Sequence, residues 1–411
     1  MAHFDAIVIG SGPAGSTAAF HLALGGASVA LLERYRLPRH KTCGGGMPMT
    51  MADQLEIERL GRLAPGSFVE AEVEWMRHTW MFGDASLAPL NPNGEKGHRL
   101  ALWMVQRAIF DAALARRAAD AGAVLIDEMV VKSVEVGGPP TVRACGPGGD
   151  WNATCAVVIG ADGANGVTAK CTGLRSKRAL AIGMELEVPH RWGDGHATLR
   201  RDVAHLEYGA VPRGYAWVFP KAEHLNVGAG VFRPRRADGR GDAGVRQELQ
   251  AAIVAYLAAL DLPKPAGGER WYAHPLPIYN GMDTVQTSDG RVLLAGDAAG
   301  LINPFFGDGI LHAVKSGKLA AEAVLKGAPQ MYAATVDQEF KRNFDAALRL
   351  ARFFYQFPGM CYRNGVQRPM ATRTAGMLLS GEVGFHQMAG RAMRRMRSAD
   401  GASDRVPQAL S

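Results

Sequence analysis

The sequence is short of every feature that would staple, metallate or anchor it. Its cysteines, Cys43, Cys145, Cys155, Cys171 and Cys361, are odd in number and form no CxxC pair, which argues against a disulfide framework or a zinc site. None of the 12 histidines stands in an HExxH or comparable ligand spacing, so no metal is expected. The longest apolar run, 251–260, falls far short of the roughly 20 residues that span a bilayer. No signal-like segment precedes the first apolar strand, so the expected location is cytoplasmic, free or attached to the inner face of a membrane. Positive charge is in small excess, 46 Lys and Arg against 39 Asp and Glu for a net +7. That excess is spread along the chain. It is compatible with anionic lipid or an acidic partner but lacks the clustering that nucleic acid requires. With 47% hydrophobic and 21% charged residues, 411 residues suit two lobes or one large discontinuous domain.

What is present is organised around the stretch from Phe4 to Glu33. Phe4, Ala6, Ile7, Val8 and Ile9 read as a buried strand. Gly10-Ser11-Gly12-Pro13-Ala14-Gly15 follows, then an Ala- and Leu-rich helical segment through Leu24, and Gly25-Gly26 as its stop. A second strand, Ser28 to Leu32, ends on Glu33. Gly10 suits a tight turn, Gly12 close approach of backbone to a pyrophosphate, and Gly15 close helix–strand packing. The helix N-terminus favours phosphate, and Glu33 is placed to accept hydrogen bonds from a ribose.

Past a basic segment, 34–41, comes Thr42-Cys43-Gly44-Gly45-Gly46. Consecutive glycines are costly to order, so they suggest backbone pressed against something flat or bulky. Cys43 is either a small buried hydrophobe or a group near the chemistry, and spacing alone leaves both open. Trp103 to Leu114 shows a helical pattern predicted to run to Gly122. Strands are predicted at 124–126, 130–136, 141–144 and 155–159, the last leading into Gly160-Ala161-Asp162-Gly163. Residues 176–285 read as strands with one helix, 245–260. Within them Tyr215, Trp217 and Phe219 fall on one strand face and Gly214, Ala216 and Val218 on the other. Those rings are either sandwich core or the wall of an apolar cavity. Val292 to Ala295, Gly296-Asp297, Asn303 to Gly309 and a helix from Ile310 repeat the strand–loop–helix pattern. The stretch 330–411 looks mostly helical and ends in Arg391, Arg394, Arg395 and Arg397.

The fingerprints Gly10-x-Gly12-x-x-Gly15…Glu33, Gly160-Ala161-Asp162-Gly163 and Gly296-Asp297 resemble those of the flavoprotein hydroxylase-like FAD fold. Within it the chain most resembles the geranylgeranyl reductase family. The resemblance is carried by Pro38-Arg39-x-Lys41-x-Cys43-Gly44-Gly45-Gly46, by Tyr215-x-Trp217-x-Phe219-Pro220-Lys221 with Asn226-Val227-Gly228-x-Gly230, and by Asn303-Pro304-x-x-Gly307-x-Gly309. One departure is Gly166, where the family pattern has Ser. The resemblance implies an α/β fold with a Rossmann-like FAD-binding domain at 1–75, 99–175 and 286–330. It also implies an inserted antiparallel substrate sheet at 76–98 and 176–285, and a helical C-terminal region at 331–411. Gly10, Gly12 and Gly15 would contact the FAD pyrophosphate and Glu33 the ribose. Asp297 would meet the ribityl chain or pyrophosphate and Arg107 the ring or phosphates, with Gly307 to Gly309 beneath the isoalloxazine. Pro13, Ala14, Arg34, Cys43, Gly44, Gly45, Asp162, Gly163, Gly296, Pro304, Asp308 and Ile310 would complete the cofactor site.

The implied activity is reduction of C=C bonds of a prenylated lipid, quinone or pigment, by hydride from reduced flavin N5 plus a proton. Cys43, Tyr215 and Trp217 are the candidate catalytic residues, and Tyr215, Trp217 and Phe219 the substrate wall. No second dinucleotide fingerprint is present, so NADPH would have to bind without one, or a ferredoxin would supply the electrons. A monooxygenase or halogenase of the same fold is the alternative. The halogenase signature Trp-x-Trp-x-Ile-Pro differs at two positions from the segment here. A non-catalytic prenyl-binding escort is the third class.

Overall fold

The computed structural model describes residues 2–92, 100–175, 180–193, 196, 198–233, 242–265, 267–368 and 370–388. The basic end at Arg391, Arg394, Arg395 and Arg397 lies outside the described residues.

Strands Ala2–Ile9, Val29–Leu32, Val124–Ile126 and Val292–Leu294 run parallel to Gly149–Gly160 or to one another in a seven-stranded sheet, with a hairpin, Thr141–Gly146 and Val130–Glu135, on its far edge. Its central strands are near-continuous apolar runs because helices cover the sheet. Ile9 lies opposite both Leu32 and Gly160, and Gly160 opposite Leu294. That register brings the loops after three predicted nucleotide motifs to one carboxyl edge, where open α/β folds bind ligands. Helices Pro13–Leu24, Arg107–Asp120 and Ile310–Leu325 pack together against this sheet.

The second seven-stranded sheet has the order Tyr272–Leu276, Leu180–Pro189, His224–Arg233, Gly214–Pro220, Val203–Tyr208, Trp75–Trp80 and Gly83–Pro89. It is antiparallel except for one pairing, Trp75–Trp80 with Val203–Tyr208. One face buries Ala216, Val218, Val227 and Ala229 against the helix Asp242–Ala259. Helices Arg342–Gln356 and Ala371–Ser380 cover part of the other. Tyr362 Oη donates to His78 O at 3.2 Å, and Tyr355 Oη to Phe305 O at 2.7 Å, tying the C-terminal region to the second sheet and to the loop before Ile310–Leu325.

One element differs from its sequence expectation. The helix predicted from Trp103 begins only at Arg107, and Leu102–Val105 is a fully buried strand between Gly46–Pro48 and Val69–Val73. A short continuous apolar run fits either period, and the partners that decide it lie far away in sequence.

Candidate active site

Three of the motif glycines have different reasons to be glycine. A Cβ on Gly10, where φ is +98°, would lie 2.4 Å from Ala161 O, and one on Gly15 would lie 1.8 Å from Gly10 O. Protein alone forbids side chains there. At Gly12 and Gly163 a Cβ would meet nothing within 4 Å, and both residues face an open cavity. The helix Pro13–Leu24 starts at Gly12 with no side-chain cap, leaving its first N–H groups free for an anion. A cradle that a Cβ would fill, at an uncapped helix start, fits a pyrophosphate.

The carboxylates around it are held in place. Glu33 accepts from Ser11 Oγ at 2.7 Å, Ser11 N at 3.2 Å and Tyr35 N at 3.1 Å, with Arg39 Nε at 3.4 Å. Asp162 accepts from Thr168 N and Oγ1 at 2.8 and 2.9 Å, while its Oδ1 has no protein partner and burial pushes its pKa up. A Cβ at Gly166 would sit 2.1 Å from that carboxyl, so the departure from Ser follows from where Asp162 lies. Arg175 donates to Asp297 O and Ala298 O, at 3.0 and 3.1 Å, and fixes the turn that presents Asp297. Arg34, Gly307, Asp308, Gly309 and Ile310 also line the cavity. Gly15, Gly296 and Pro304 do not. Gly296 packs against Ala14 and Ala313, and Pro304 is buried beside the cavity.

The Cys43 loop is pinned from several directions. Cys43 N donates to Glu185 Oε1 at 2.9 Å, and Gly45 N to Cys43 Sγ at 3.4 Å. The Arg107 guanidinium lies beside the thiol and is itself held on Asp111 by bonds of 2.7 and 2.9 Å. Lys221, 2% exposed, donates to Gly44 O at 2.7 Å and Val105 O at 2.8 Å, and burial pushes its pKa down to about 8. Burial also lowers the pKa of Lys41, against the pull of Asp297. The thiol therefore sits among three cationic side chains, next to backbone that lines the cavity.

The flat partner of the glycines is part of the protein. A Cβ on Gly44 would lie 2.8 Å from the Phe219 ring. Tyr215, Trp217 and Phe219 are half-buried and line the cavity, while Gly214, Ala216 and Val218 are buried behind them, as alternation predicts. Their ring centroids step along the strand at 6.0 and 6.1 Å. Trp217 Nε1 donates to Asn226 Oδ1 at 2.8 Å, and Gly228 makes room for its ring. Tyr215 Oη donates to Phe306 O.

The cavity, about 1220 Å³, joins this wall to the nucleotide loops. Ligand pockets usually run about 300–1,000 Å³, so this one has room for a dinucleotide and part of a second molecule. Its roof was not legible in the sequence: Phe354, Tyr355 and Thr372 close it from the C-terminal helices. Tyr208 Oη lies 3.4 Å from His78 Nδ1, and His78 Nε2 lies 3.0 Å from Thr372 Oγ1.

Burial pushes the pKa of His78 down to about 4 and that of His205, with Arg77 adding, to about 3. Both are neutral in the fold at pH 6, where the unfolded chain, at about 6.5, begins to bind protons. Stability is therefore retained above about pH 6.5 and lost as pH falls toward 4. The expected loss is roughly 2–3 kcal/mol per histidine by about pH 4.5. Thermal unfolding against pH tests this. A melting temperature unchanged between pH 7 and 5 would contradict it, and replacing both by Gln should flatten the acid limb.

The family of FAD binding domains matches residues 3–321. The chloroplastic geranylgeranyl diphosphate reductase of Oryza sativa subsp. japonica is 30% identical over 399 residues, covering 88% of this chain and 79% of that relative. The chain belongs to the geranylgeranyl reductase family. Menaquinone reductase of Mycolicibacterium smegmatis is 27% identical over 407 residues, covering 92% of each. The crystal structure of a geranylgeranyl bacteriochlorophyll reductase-like protein from Thermoplasma acidophilum matches with a TM-score of 0.73 at 22% identity, again over 92% of each chain. This family member is an FAD-dependent oxidoreductase, and FAD is the cofactor that fits the cradle at Gly12.

Proposed function

We propose that the protein saturates C=C bonds of a prenyl chain carried on a lipid, quinone or pigment, with electrons from NADPH or ferredoxin. The observation that carries this reading is the single cavity joining the nucleotide loops to the aromatic strand face. Residues 1–75, 99–175 and 286–330 serve the cofactor and 76–98 with 176–285 the substrate. The C-terminal helices from 331 roof the chain.

When bound and reduced, FAD supplies the hydride. An unactivated alkene offers no carbonyl to polarise, so the protein's part is to position the bond, deliver a proton and keep water out. In this reading Cys43, which lines the cavity beside Arg107, hands over that proton. Protonation at the less substituted carbon leaves tertiary cationic character, which the faces of Trp217 and Tyr215 stabilise by about 1–2 kcal/mol each when desolvated. An apolar wall also denies water access to that cation. Comparing prenyl lipids, quinones and pigments from cells with and without the protein, by mass spectrometry, tests the reading. Loss of saturated species supports it, and NAD(P)H-coupled oxygen uptake with no change in saturation favours a monooxygenase or halogenase.

Trp217→Leu distinguishes wall from core. A prenyl chain presents nearly the same surface at every isoprene unit, so its position is set by the shape of the wall. Removing the ring should let the chain slide and shift the distribution of partially reduced products, with flavin retained. Thermal unfolding of the variant beside product analysis at matched conversion is the check. An unchanged product pattern with a loss of about 1–3 kcal/mol would return the strand to the core.

A further inference from the structure

We propose that the cavity rim built by the C-terminal helices docks on an anionic lipid bilayer. This rests on the prenyl-chain reading above. Phe353, Met360 and Met370 are 49, 48 and 48% exposed, yet each also lines the cavity, so they form its rim. Phe357, 46% exposed, extends this apolar surface with its ring 5.6 Å from that of Phe353. Side chains of this size gain nothing from water, and their grouping around an opening marks an interaction surface.

Charge selects the occupant. Residues 346–380 hold Arg349, Arg352, Arg363, Arg368 and Arg373 and no Asp or Glu, although the whole chain is nearly balanced. Arg368 is exposed and lines the rim itself, and Arg349, Arg352 and Arg363 are exposed nearby in sequence. Arg352 donates to Asn280 Oδ1 and Arg368 to Asn364 O, neutral acceptors, and neither has a carboxylate partner among the described residues. Asp345, one turn before Arg349, is bound by Tyr279 and Lys341 and also lies within the field of Arg349, so Arg349 is partly compensated while Arg352, Arg363 and Arg368 carry the excess. An apolar rim set among arginines matches the acyl–headgroup boundary of an anionic leaflet. No helix among the described residues is long and apolar enough to cross a membrane. A substrate chain embedded in a bilayer must then be drawn in from outside, and a rim seated on the leaflet opens the cavity directly to it.

Sedimentation of the flavin-loaded protein with vesicles tests the proposal, using phosphatidylcholine alone or mixed with phosphatidylglycerol. Binding is expected to the mixed vesicles, to weaken on going from about 0.15 to about 1 M salt, and to fall at least about tenfold in Phe353→Ser/Phe357→Ser. Met331→Ser, at an exposed residue outside the rim, should bind as wild type, and flavin absorbance confirms that each variant is folded. Absence of binding to anionic vesicles, or equal binding by the double variant, would overturn the docking face. So would a wild-type dimer in solution that the double variant abolishes. Activity of wild type on a detergent-dispersed prenyl substrate separates the two readings. Reduction without vesicle binding removes the docking face and leaves the function, whereas vesicle binding without reduction keeps the face and removes the function.

Discussion

Gly12→Val is expected to give folded, colourless protein, with flavin content below about a tenth of wild type. The cause is specific to this glycine. Its φ is −69° and ψ −178°, an extended conformation that valine adopts without strain. A Cβ there meets no protein atom, and only cavity space receives the new side chain. That space is where the pyrophosphate must approach backbone N–H groups at the helix start, so the substitution should abolish binding while sparing the fold. Gly10→Val and Gly15→Val should behave differently. Each drives a Cβ into backbone oxygen, at 2.4 and 1.8 Å, and should cost several kcal/mol of stability, about 3 or more. Flavin absorbance and thermal unfolding of the three variants decide the matter. Normal flavin content in Gly12→Val would refute the assignment of the first motif.

Cys43→Ser should slow alkene reduction by about 10²- to 10³-fold, the usual weight of a proton-transfer group, with flavin content intact. Serine retains an acceptor for Gly45 N and leaves the bond from Cys43 N to Glu185 in place, so the loop should keep its shape. What it loses is the acidity of a thiol, which titrates within reach of neutral pH as a hydroxyl does not. Cys43 lies beside Arg107 and near Lys41 and Lys221, on the cavity lining where a proton would have to reach the alkene. Single-turnover kinetics with the flavin reduced beforehand isolates the step. A rate equal to wild type would make Cys43 a packing residue.

The nucleotide edge was legible in the sequence because its parts are local. Gly12, Glu33 and Asp297 each follow a short β-branched or leucine-rich strand, and strand register then brings the three loops together without further information. The ring face of Tyr215, Trp217 and Phe219 was legible for the same reason, since alternation is a property of one strand. Trp103 was misread because a short apolar run carries no period of its own. The contacts of Lys221, Glu185 and His78 were beyond reach. Lys221 meets Gly44 across 177 positions, Cys43 meets Glu185 across 142, and His78 meets Thr372 across 294. The C-terminal stretch shows helices in its pattern, but nothing local says that Phe354 and Tyr355 turn inward while Phe353 and Phe357 stay outside.

The decisive measurement is an anaerobic titration of the reduced, flavin-loaded protein with a geranylgeranyl-type substrate, following flavin absorbance and product mass together. Reoxidation of the flavin without oxygen, matched by one saturated bond per flavin, is the expected result. Flavin that stays reduced until oxygen is admitted, with the prenyl chain unchanged in mass, would contradict the assignment of prenyl reduction.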